Sequence, residues 1–566
     1  MLEELKNIKL GEDARLSDLR KSVIVLVNMV EELWSENKEL KEENVKLKDE
    51  INRLKGEQDR PKFEAEAKRN KNYSSEKERK AQEKASEKKK KKKKKISKKK
   101  LVKIDKEIKI EVPLSELPPD AKFKKYEEVL QQNVKLVTEN ILYKVAVYYS
   151  KKEKRTIRGK MPSEYAGQFG CDLKALTHIL HHVCDVTQSR IECLFSSLGL
   201  SISSGKISNI LNDELEWARE EQLEILKAGI VASDYVQSDS TGNKEKGERR
   251  VTHIFSGVFF STYHTLKTKS RLAVLHALQG AKGALQVQYN THTAGLLKKY
   301  NISKKDKEDL LILFGDEQIY TLSKFEQLVH KELASLGAKK NMFTRVKSAF
   351  ALSYYYVQKE TPIVNVLLTD DAPEYKNIAL EYHALCWVHD ARYYNKLTPL
   401  LEQTRKVSKD FKDEYWAFYG LLLDYRKIAT DEVKKQERAR KKIESEFERI
   451  FKKKTDYFLL DKLIEKTYKN KDKLLVVLDV PSLPLHNNAA ELAARRVVRK
   501  RDISLHTWCE KGTQTRDAFM SIIETAVKLA VNPVVYITKK IKGQQVFKSL
   551  AALIQEAYTA KVTPVL

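Results

Sequence analysis

The first sixty residues carry a heptad pattern of apolar positions. Apolar residues or asparagines recur at alternating spacings of three and four from Leu16 to Leu54. This spacing keeps one face of a helix apolar, as in the seam of a coiled coil. The pattern predicts a helix here, with residues 1–58 as a coiled-coil segment. The seam positions are Leu16, Leu19, Val23, Leu26, Val30, Leu33, Asn37, Leu40, Asn44, Leu47, Ile51 and Leu54.

Charged residues beside this seam favour a parallel homodimer through residues 16–54. In a parallel pair each g position faces the e position five residues on in the partner, and three such pairs join Glu to Lys. They are Glu36 with Lys41, Glu43 with Lys48, and Glu50 with Lys55. Asn37 and Asn44 occupy a positions, where a buried asparagine favours a dimer in one register. The alternative is a surface helix that packs on its own chain.

Beyond residue 229 the pattern changes to short apolar runs separated by helical segments. The run that contains Asp239, the run Val251–Tyr263 and the run Leu272–Leu278 predict three antiparallel strands. Ile363–Asp370 predicts a buried strand, and another is expected near His383. The stretch from Leu485 reads as a helix. These elements predict an α/β core over residues 229–510 with insertions at 283–350 and 397–470, the second helical and charged.

Three acidic residues stand at the ends of these elements. Asp239 and Asp370 belong to predicted strands and Glu491 to the predicted helix, which is the layout of an RNase H-like nuclease core. Cutting or joining a phosphodiester uses two divalent ions, and magnesium prefers carboxylate ligands. Glu491 could instead close a capping box with Asn488 or pair with Arg495. Either aspartate could be an ordinary acid at a strand end.

Residues 166–228 form a predicted helical region with a helix-turn-helix candidate. Ile191–Leu198 and Ile202–Leu211 read as two helices joined by a tight turn at Gly199. In the second helix, Lys206, Ser208 and Asn209 are candidate DNA contacts.

Histidines and cysteines just before and within the helix-turn-helix candidate raise a zinc alternative. His178 and His182 are four residues apart on one helix face, but the spacing matches no compact zinc pattern. Ordinary helix histidines and buried cysteines are the favoured interpretation. The other members are His181, Cys184 and Cys193.

The charge of the chain points to a polyanionic partner. Lys and Arg number 107 against 79 Asp and Glu, for a net charge of +28. Residues 61–100 alone carry +13 and include the lysine run Lys88–Lys95. A run of like charges cannot bury apolar surface, so residues 59–109 are predicted to be a disordered linker, which could also contact DNA phosphates. Residues 101–566 add +18, so the folded part is basic too.

Composition excludes other classes of protein. At 41% apolar residues the chain can build cores, which excludes wholesale disorder. No apolar stretch approaches the roughly 18–20 residues of a membrane span, and the first residues lack the pattern of a secretory signal. Five cysteines without a CxxC pair fit a reducing cytoplasm. Residues 110–165 are expected to form a small β-containing segment and residues 511–566 a helical one.

Several segments together resemble the IS66 family of bacterial insertion-sequence transposases. The resemblance covers roughly residues 165–280 and 360–540. It rests on Gln237-Ser-Asp-Ser-Thr-Gly, Leu368-Thr-Asp-Asp-Ala-Pro-Glu-Tyr, Leu385-Cys-Trp-Val-His-Asp-Ala-Arg-Tyr-Tyr-Asn-Lys-Leu, Leu485-His-Asn-Asn-Ala-Ala-Glu, Glu524-Thr-Ala and Asn532-Pro-Val-Val-Tyr.

The resemblance implies a DDE transposase, which cuts and joins DNA at the ends of an insertion sequence with two Mg²⁺ or Mn²⁺ ions. It makes Asp239, Asp370 and Glu491 the catalytic, metal-binding residues, with Asp371 as the alternative to Asp370. It also implies double-stranded DNA as partner, no membrane, and a cytoplasmic, nucleoid-associated location in a bacterium. Candidate DNA contacts on the glutamate helix are Arg495, Arg496, Arg499, Lys500 and Arg501, whereas His389 and Arg392 are expected to be structural or to face DNA.

The chain departs from the family in two places. A CxxC segment commonly follows the N-terminal helix in the family, but lysine-rich sequence stands there, so no zinc is expected at that place. Leu492 follows the glutamate where the family commonly has arginine. The alternative function is a catalytically decayed transposase that only binds DNA. A structural coiled-coil scaffold would leave the three carboxylates unexplained.

Overall fold

The computed structural model describes most of the chain in two compact units. The described residues are 16–54, 104, 106–112, 124–127, 129–134, 137–162, 165, 167–399, 401–428, 432–544 and 548–562. The larger unit takes in the N-terminal helix together with residues 167–191 and 204–562, and the smaller takes in the described residues between 104 and 165 with 192–203. The lysine run Lys88–Lys95 and most of the predicted linker 59–109 lie outside the described residues.

Helices dominate the described chain. They are α1 (Leu16–Leu54), α2 (Cys171–His178), α3 (Gln188–Ser197), α4 (Ser204–Asp213), α5 (Leu215–Val231), α6 (Arg271–Leu278), α7 (Thr291–Lys299), α8 (Lys304–Phe314), α9 (Leu322–Glu332), α10 (Ala334–Gly337), α11 (Lys340–Val357), α12 (Trp387–Asn395), α13 (Glu402–Tyr425), α14 (Val433–Phe451), α15 (Phe458–Lys469), α16 (Lys471–Leu474), α17 (Asn488–Ser504), α18 (Glu510–Lys528), α19 (Pro533–Ile541) and α20 (Leu550–Val562). A π-helical turn at Ile179–Val183 continues α2, and short 3₁₀ turns occur at Pro373–Tyr375 and Val476–Leu478.

The strands form three sheets. They are β1 (Val147–Ser150), β2 (Arg155–Arg158), β3 (Val236–Glu245), β4 (Glu248–Ser256), β5 (Ser261–Leu266), β6 (Gln286–Gln288), β7 (Ile319–Thr321), β8 (Val366–Thr369) and β9 (Tyr382–Leu385). The smaller unit contains the antiparallel hairpin β1–β2, in the segment where β structure was predicted, and β6 pairs with β7 inside the first insertion.

A five-stranded mixed sheet organises the larger unit. Its order is β5-β4-β3-β8-β9: the first three strands are antiparallel, and β3, β8 and β9 run parallel. Three antiparallel strands are present as predicted, but the third is β5, because a turn divides Val251–Tyr263. The prediction of a strand at Leu272–Leu278 is wrong. This segment is helix α6, rich in the helix formers Leu and Ala and capped by the Ser270 side chain, which accepts from the Ala273 N–H.

Helix α18 covers the open edge of the sheet with side-chain hydrogen bonds. The backbone N–H groups of alternate β5 residues Ser261, Tyr263 and Thr265 donate to Thr525 Oγ1, Ser521 Oγ and Asp517 Oδ2 at 3.2, 3.1 and 2.6 Å. The acceptors are spaced four residues apart on one helix face. The length of helix that separates two acceptors is close to the length of strand that separates two alternate residues, so each donor meets an acceptor. The edge is thereby closed to pairing with another strand.

Two apolar cores pack around the five-stranded sheet. The larger buries residues of α5, α6, α11 and α18. The second joins the predicted 397–470 insertion to α12: Trp387 of α12 packs against Tyr415 and Phe418 of the insertion and donates from Nε1 to the Leu474 carbonyl at 2.9 Å. This insertion is helical, as predicted, through α13, α14 and α15.

Helix α1 contacts this insertion through a polar face and leaves its seam exposed. Asn28 Nδ2 donates to the Asp456 carbonyl and Asn28 Oδ1 accepts from the Phe458 N–H, both at 3.2 Å, and Lys462 pairs with Glu32. The seam side chains Val23, Leu26, Val30, Leu33, Leu40 and Leu47 are exposed. The side chains of Leu16, Leu19, Lys48, Glu50, Ile51 and Leu54, and all of Lys55, lie outside the described residues.

Among the described helices, none combines the length and the apolar character that crossing a bilayer would require.

Candidate active site

The parallel pairing of β3 with β8 brings the two predicted aspartates side by side. Val236 is registered with Leu367 and Gln237 with Leu368. Continued by two residues, this register sets Asp239 opposite Asp370, which directly follows β8. Asp239 Oδ1 accepts from the Ser240 N–H at 2.7 Å, and Asp370 Oδ1 accepts from the Ala372 N–H at 3.3 Å. Residues 131 positions apart in sequence therefore meet at one point of the sheet.

Glu491 approaches the two aspartates from the first turn of α17, near enough for its charge to raise the pKa of Asp239. The start of this helix is tied to β3, because Asn487 Nδ2 donates to the Ser238 carbonyl at 2.8 Å and the Ala489 N–H donates to Gln237 Oε1 at 3.0 Å. Ala493, Ala494 and Val497 then pack on Ile254 and Tyr263 of the sheet. The helix begins after Asn487 without a side-chain cap, so the capping-box alternative for Glu491 does not apply.

Electrostatics couple the three carboxylates. Burial raises the pKa of Asp239 to about 6, and the charges of Asp370 and Glu491 raise it as well, against the Ser240 hydrogen bond and the charge of Lys269. Like charges gathered in a half-buried site repel, so the charges of Asp370 and Glu491 disfavour ionisation of Asp239. Asp371 points elsewhere, with its Oδ2 3.6 Å from Lys466 Nζ on α15. Of the acidic doublet, Asp370 is thus the residue that acts on Asp239.

Arg392 holds the Glu491 carboxylate, and His389 positions Arg392. Arg392 Nη2 donates to both oxygens of Glu491 at 3.3 Å, and its Nη1 donates to His389 Nε2 at 2.8 Å. Burial lowers the pKa of His389, and Arg392 lowers it further, against the opposing charges of Glu491 and Asp370. His389 is therefore a neutral acceptor here. Both residues lie on α12, which begins directly after β9 and so places them at the same end of the sheet.

Helix α12 is itself fixed by a buried carboxylate. Asp390 accepts hydrogen bonds from Thr467 of α15 at 2.8 Å and from Tyr415 of α13 at 3.0 Å, and burial raises its pKa to about 6. A cavity of about 440 Å³ opens beside the site. It is lined by Asp370, Asp371, Ala372, Leu385, Cys386, His389, Asp390, Arg392, Tyr393, Lys396 and Asn470.

Within the part of the chain that the structure describes, no three His, Cys, Asp or Glu side chains converge closely enough to hold a metal ion. For the carboxylate triad this separation has a physical reason. Three anions repel one another, and Glu491 is drawn to the Arg392 guanidinium instead. The donors are nevertheless hard carboxylate oxygens, the type that Mg²⁺ and Mn²⁺ prefer.

The predicted DNA contacts on α17 separate into an exposed and an internal group. Arg495 and Arg499 are exposed and follow Glu491 at four-residue intervals on one helix face. Lys500 is buried, donates to the His181 carbonyl and lies 3.4 Å from Asp185. Arg496 pairs with Asp185 at 2.6 Å, and Arg501 donates to the Gly242 carbonyl at 2.6 Å. These last three side chains are already bonded inside the protein, and only the first two present free charge to solvent.

The helix-turn-helix candidate has its two helices, α3 and α4, and Gly199 adopts the left-handed backbone (φ +80°) that ends α3. On α4, Asn209 is exposed and Lys206 and Ser208 are half-buried.

The upstream histidines belong to the core. His182 stacks on Phe519 and His178 packs against the same ring at a tilt, and burial lowers the pKa of His178 to about 4. His178 Nε2 lies 3.1 Å from the Ile210 carbonyl. Cys184 and Cys193 are exposed.

Comparison with known proteins places part of this site in a family. Residues 357–515 match the IS66 family of transposases, which confirms the resemblance and shows that the chain carries a domain of this family. The domain contains Asp370, Glu491, His389 and Arg392, while Asp239 precedes it. An uncharacterized protein, y4jO, of Sinorhizobium fredii (strain NBRC 101917 / NGR234) is 27% identical over 336 residues, 58% of this chain and 99% of that protein. No solved structure matches the chain.

Sequence reasoning missed one group at this site. Lys466 sits in a charged helix of the insertion, where nothing distinguishes it from neighbouring lysines. His389 and Arg392 could be found from the Cys-Trp-Val-His segment, but the bond of Arg392 to Glu491 depends on the packing of α12 beside α17.

The transposase family implies an enzyme that binds and cuts DNA.

Proposed function

We propose that this chain is a DDE transposase that cleaves and joins DNA strands at the ends of an insertion sequence, with Asp239, Asp370 and Glu491 as the catalytic carboxylates. The observation that carries the proposal is the placement of the three carboxylates at one end of the sheet: two aspartates opposite each other on parallel strands, and a glutamate from a helix tied to the same strand. The sheet order β5-β4-β3-β8-β9 supports an RNase H-like core for this activity.

The three carboxylates would hold two Mg²⁺ or Mn²⁺ ions. Such ions activate the attacking oxygen and stabilise the leaving oxygen of a phosphodiester. The chain contributes the ligands. The charges of Asp370 and Glu491 repel that of Asp239, and bound cations would relieve this repulsion. Arg392, positioned by its hydrogen bond to His389, holds Glu491 near the aspartates. Arg495 and Arg499, on the same helix face, and the α4 residues Lys206, Ser208 and Asn209 are the proposed DNA contacts.

Neighbouring aspartates provide a sharp test of this assignment. Wild-type protein should nick a plasmid that carries the gene with its flanking DNA, and should require Mg²⁺ or Mn²⁺. Asp370→Asn should lose nicking by about a thousandfold, because a metal ligand contributes several kcal/mol to the transition state. Asp371→Asn removes the same charge one residue away and should retain most activity, since Asp371 pairs with Lys466.

The reverse ranking of the two variants would move the ligand assignment to Asp371. Wild-type protein that binds the flanking DNA but does not nick it with either ion would favour the catalytically decayed alternative. The nicked products, resolved on a denaturing gel, show which strand and position are cut.

A parallel homodimer through α1 forms part of this proposal. Two faces of α1 support it. The polar face with Asn28 and Glu32 contacts the insertion, and the apolar seam remains exposed. Leu33 and Leu40 expose 62% and 58% of their surface, which is costly for a helix that has no partner on that side. Packing on the own chain and pairing with a second copy thus use different faces of one helix.

Replacing Leu33 and Leu40 together by Ala should convert the full chain from dimer to monomer. Removing seam volume costs about 2–5 kcal/mol per site where the side chain is fully packed, which is enough to weaken association by several orders of magnitude. Sedimentation velocity at micromolar concentration measures the change. Glu39→Ala/Glu42→Ala, at exposed positions off the seam, is the matched control and should remain dimeric; a monomeric wild-type chain would contradict the proposal.

A further inference from the structure

A second cavity, lined by six cationic and four acidic side chains, lies beside the candidate active site. Its volume is about 800 Å³, and its wall includes the edge strand β9 and the short helix α16. The segment 470–473 separates it from the catalytic cavity, since Asn470 lines the first and Lys471 to Lys473 line the second. The two cavities are therefore neighbours in the larger unit.

The wall carries more cations than carboxylates. Some of these cations form ion pairs and others do not. Arg440 pairs with Glu444 and Asp479, and Lys471 pairs with Glu448. Lys299, Lys376 and Lys473 line the same cavity, and among the described residues none of the three forms an ion pair. We name these three the lysine cluster. The carboxylates on the wall outside the pairs are Glu381 and Asp472, and both are exposed.

Another cation of the wall, Arg271, has a positioning role. Arg271 donates from Nε to the Lys376 carbonyl at 2.9 Å and from Nη2 to the Pro373 carbonyl at 3.0 Å, and its guanidinium stacks on the Tyr300 ring at 5.3 Å. It thereby fixes the loop that carries Lys376 after β8. The lysine cluster is thus presented from three separate elements, α7, this loop and α16, that converge on one space.

The three lysines line one cavity, and their like charges repel one another. Burial lowers the pKa of Lys473, and the charges of Lys376 and Lys299 lower it further, against the opposing charge of Asp371. Burial also lowers the pKa of His383, on the same wall, to about 3, and Lys473 and Lys376 add to the shift. A fold that gathers like charges gives up stability, and an anionic ligand would offset that repulsion.

We propose that the lysine cluster binds the phosphodiester backbone of the DNA strand that runs through the neighbouring active site. Three features select this occupant. The cavity is open and wide, as a strand of DNA requires, the cluster has no ion-pair partner among the described residues, and His383 links its wall to the catalytic end of β8 through a 2.8 Å contact with Thr369 Oγ1. Phosphate groups on a continuous strand would then meet both cavities. This inference rests on the proposed function for the identity of the strand.

Protection of the lysines by DNA tests the proposal directly. Full-length protein is acetylated with and without a duplex taken from the DNA that flanks the gene, in EDTA so that cleavage plays no part, and the modified lysines are quantified by mass spectrometry. Lys299, Lys376 and Lys473 should each become severalfold less reactive when DNA is bound. Lys305, Lys324 and Lys339, exposed lysines of the first insertion without ion pairs among the described residues, should not.

The salt dependence of binding supplies a second readout on the same residues. A plot of log affinity against log salt concentration has a negative slope, and the slope becomes shallower by about 0.9 for each phosphate that the protein no longer neutralises. The triple variant Lys299→Gln/Lys376→Gln/Lys473→Gln should therefore show a slope shallower by roughly 2–3. The control Lys305→Gln/Lys324→Gln/Lys339→Gln has the same change in net charge and should match wild type.

Outcomes of these measurements separate this inference from the proposed function. Protection of the lysine cluster in a protein that never cleaves DNA supports the cluster and contradicts the transposase activity. Cleavage by wild type without protection of the cluster, or protection equal to that of the control lysines, overturns the inference. Protection by ATP or inorganic phosphate but not by the duplex also overturns it, because the site would then take a small phosphate ligand.

Discussion

Asp239→Asn is expected to abolish strand cleavage, with a loss of about a thousandfold or more, while DNA binding stays within about twofold of wild type. Asparagine keeps the shape of the side chain and its acceptor for the Ser240 N–H, but it lacks the negative charge that a divalent ion needs. Affinity for DNA depends on Lys and Arg contacts to phosphate, which this substitution does not touch. Nicking of the flanking-DNA plasmid and a filter-binding titration measure the two properties.

The same substitution should not destabilise the fold. The folded-state pKa of Asp239 is raised to about 6, so its ionised form opposes folding increasingly as the pH rises from about 4 through 6, and the cost is fully present at neutral pH. A neutral asparagine removes it. Thermal unfolding of Asp239→Asn at neutral pH should therefore begin no earlier than that of wild type. Near-normal cleavage by this variant would remove Asp239 from the site; early unfolding would point to a structural role.

Asp517→Ala is expected to lower the free energy of unfolding of the larger unit by about 3–5 kcal/mol. The Asp517 carboxylate is buried, accepts from the Thr265 N–H at 2.6 Å and from Thr265 Oγ1 at 3.0 Å, and pairs with the buried Arg516 guanidinium at 3.1 Å. Alanine leaves a buried positive charge and an edge-strand N–H without their partner. Denaturant unfolding followed by tryptophan fluorescence measures the change, because Trp217 packs against Phe519 of the same helix.

Ser521→Ala is the matched comparison one turn further along α18. It removes the acceptor for the Tyr263 N–H at 3.1 Å but leaves no buried charge, so its cost should be about 1–3 kcal/mol. Equal losses in the two variants would show that the edge hydrogen bond, and not the buried ion pair, is what Asp517 contributes. A smaller loss for Asp517→Ala than for Ser521→Ala would contradict its proposed place in the core.

The pattern of apolar residues within each segment was enough to predict most elements of the core, because periodicity and turn chemistry act over a few residues. The buried run before Asp370, the helix that carries Glu491 and the long N-terminal helix all lie where the sequence places them. The error at Leu272–Leu278 arose because a short apolar run fits a strand or a buried helix equally well, and the Ser270 cap decided for the helix.

The amino-acid sequence by itself determined the kinds of residues at the candidate site, the family of the 357–515 domain and the heptad seam of α1. Only the tertiary structure decided which groups meet. The parallel register of β3 with β8 set Asp370, and not Asp371, opposite Asp239, the packing of α12 brought Arg392 to Glu491 across 99 residues, and the fit of α17 against Asp185 took Lys500 out of solvent. The physical reason is that these contacts join segments far apart in the chain, whose pairing depends on the whole core and leaves no periodic trace in any one segment.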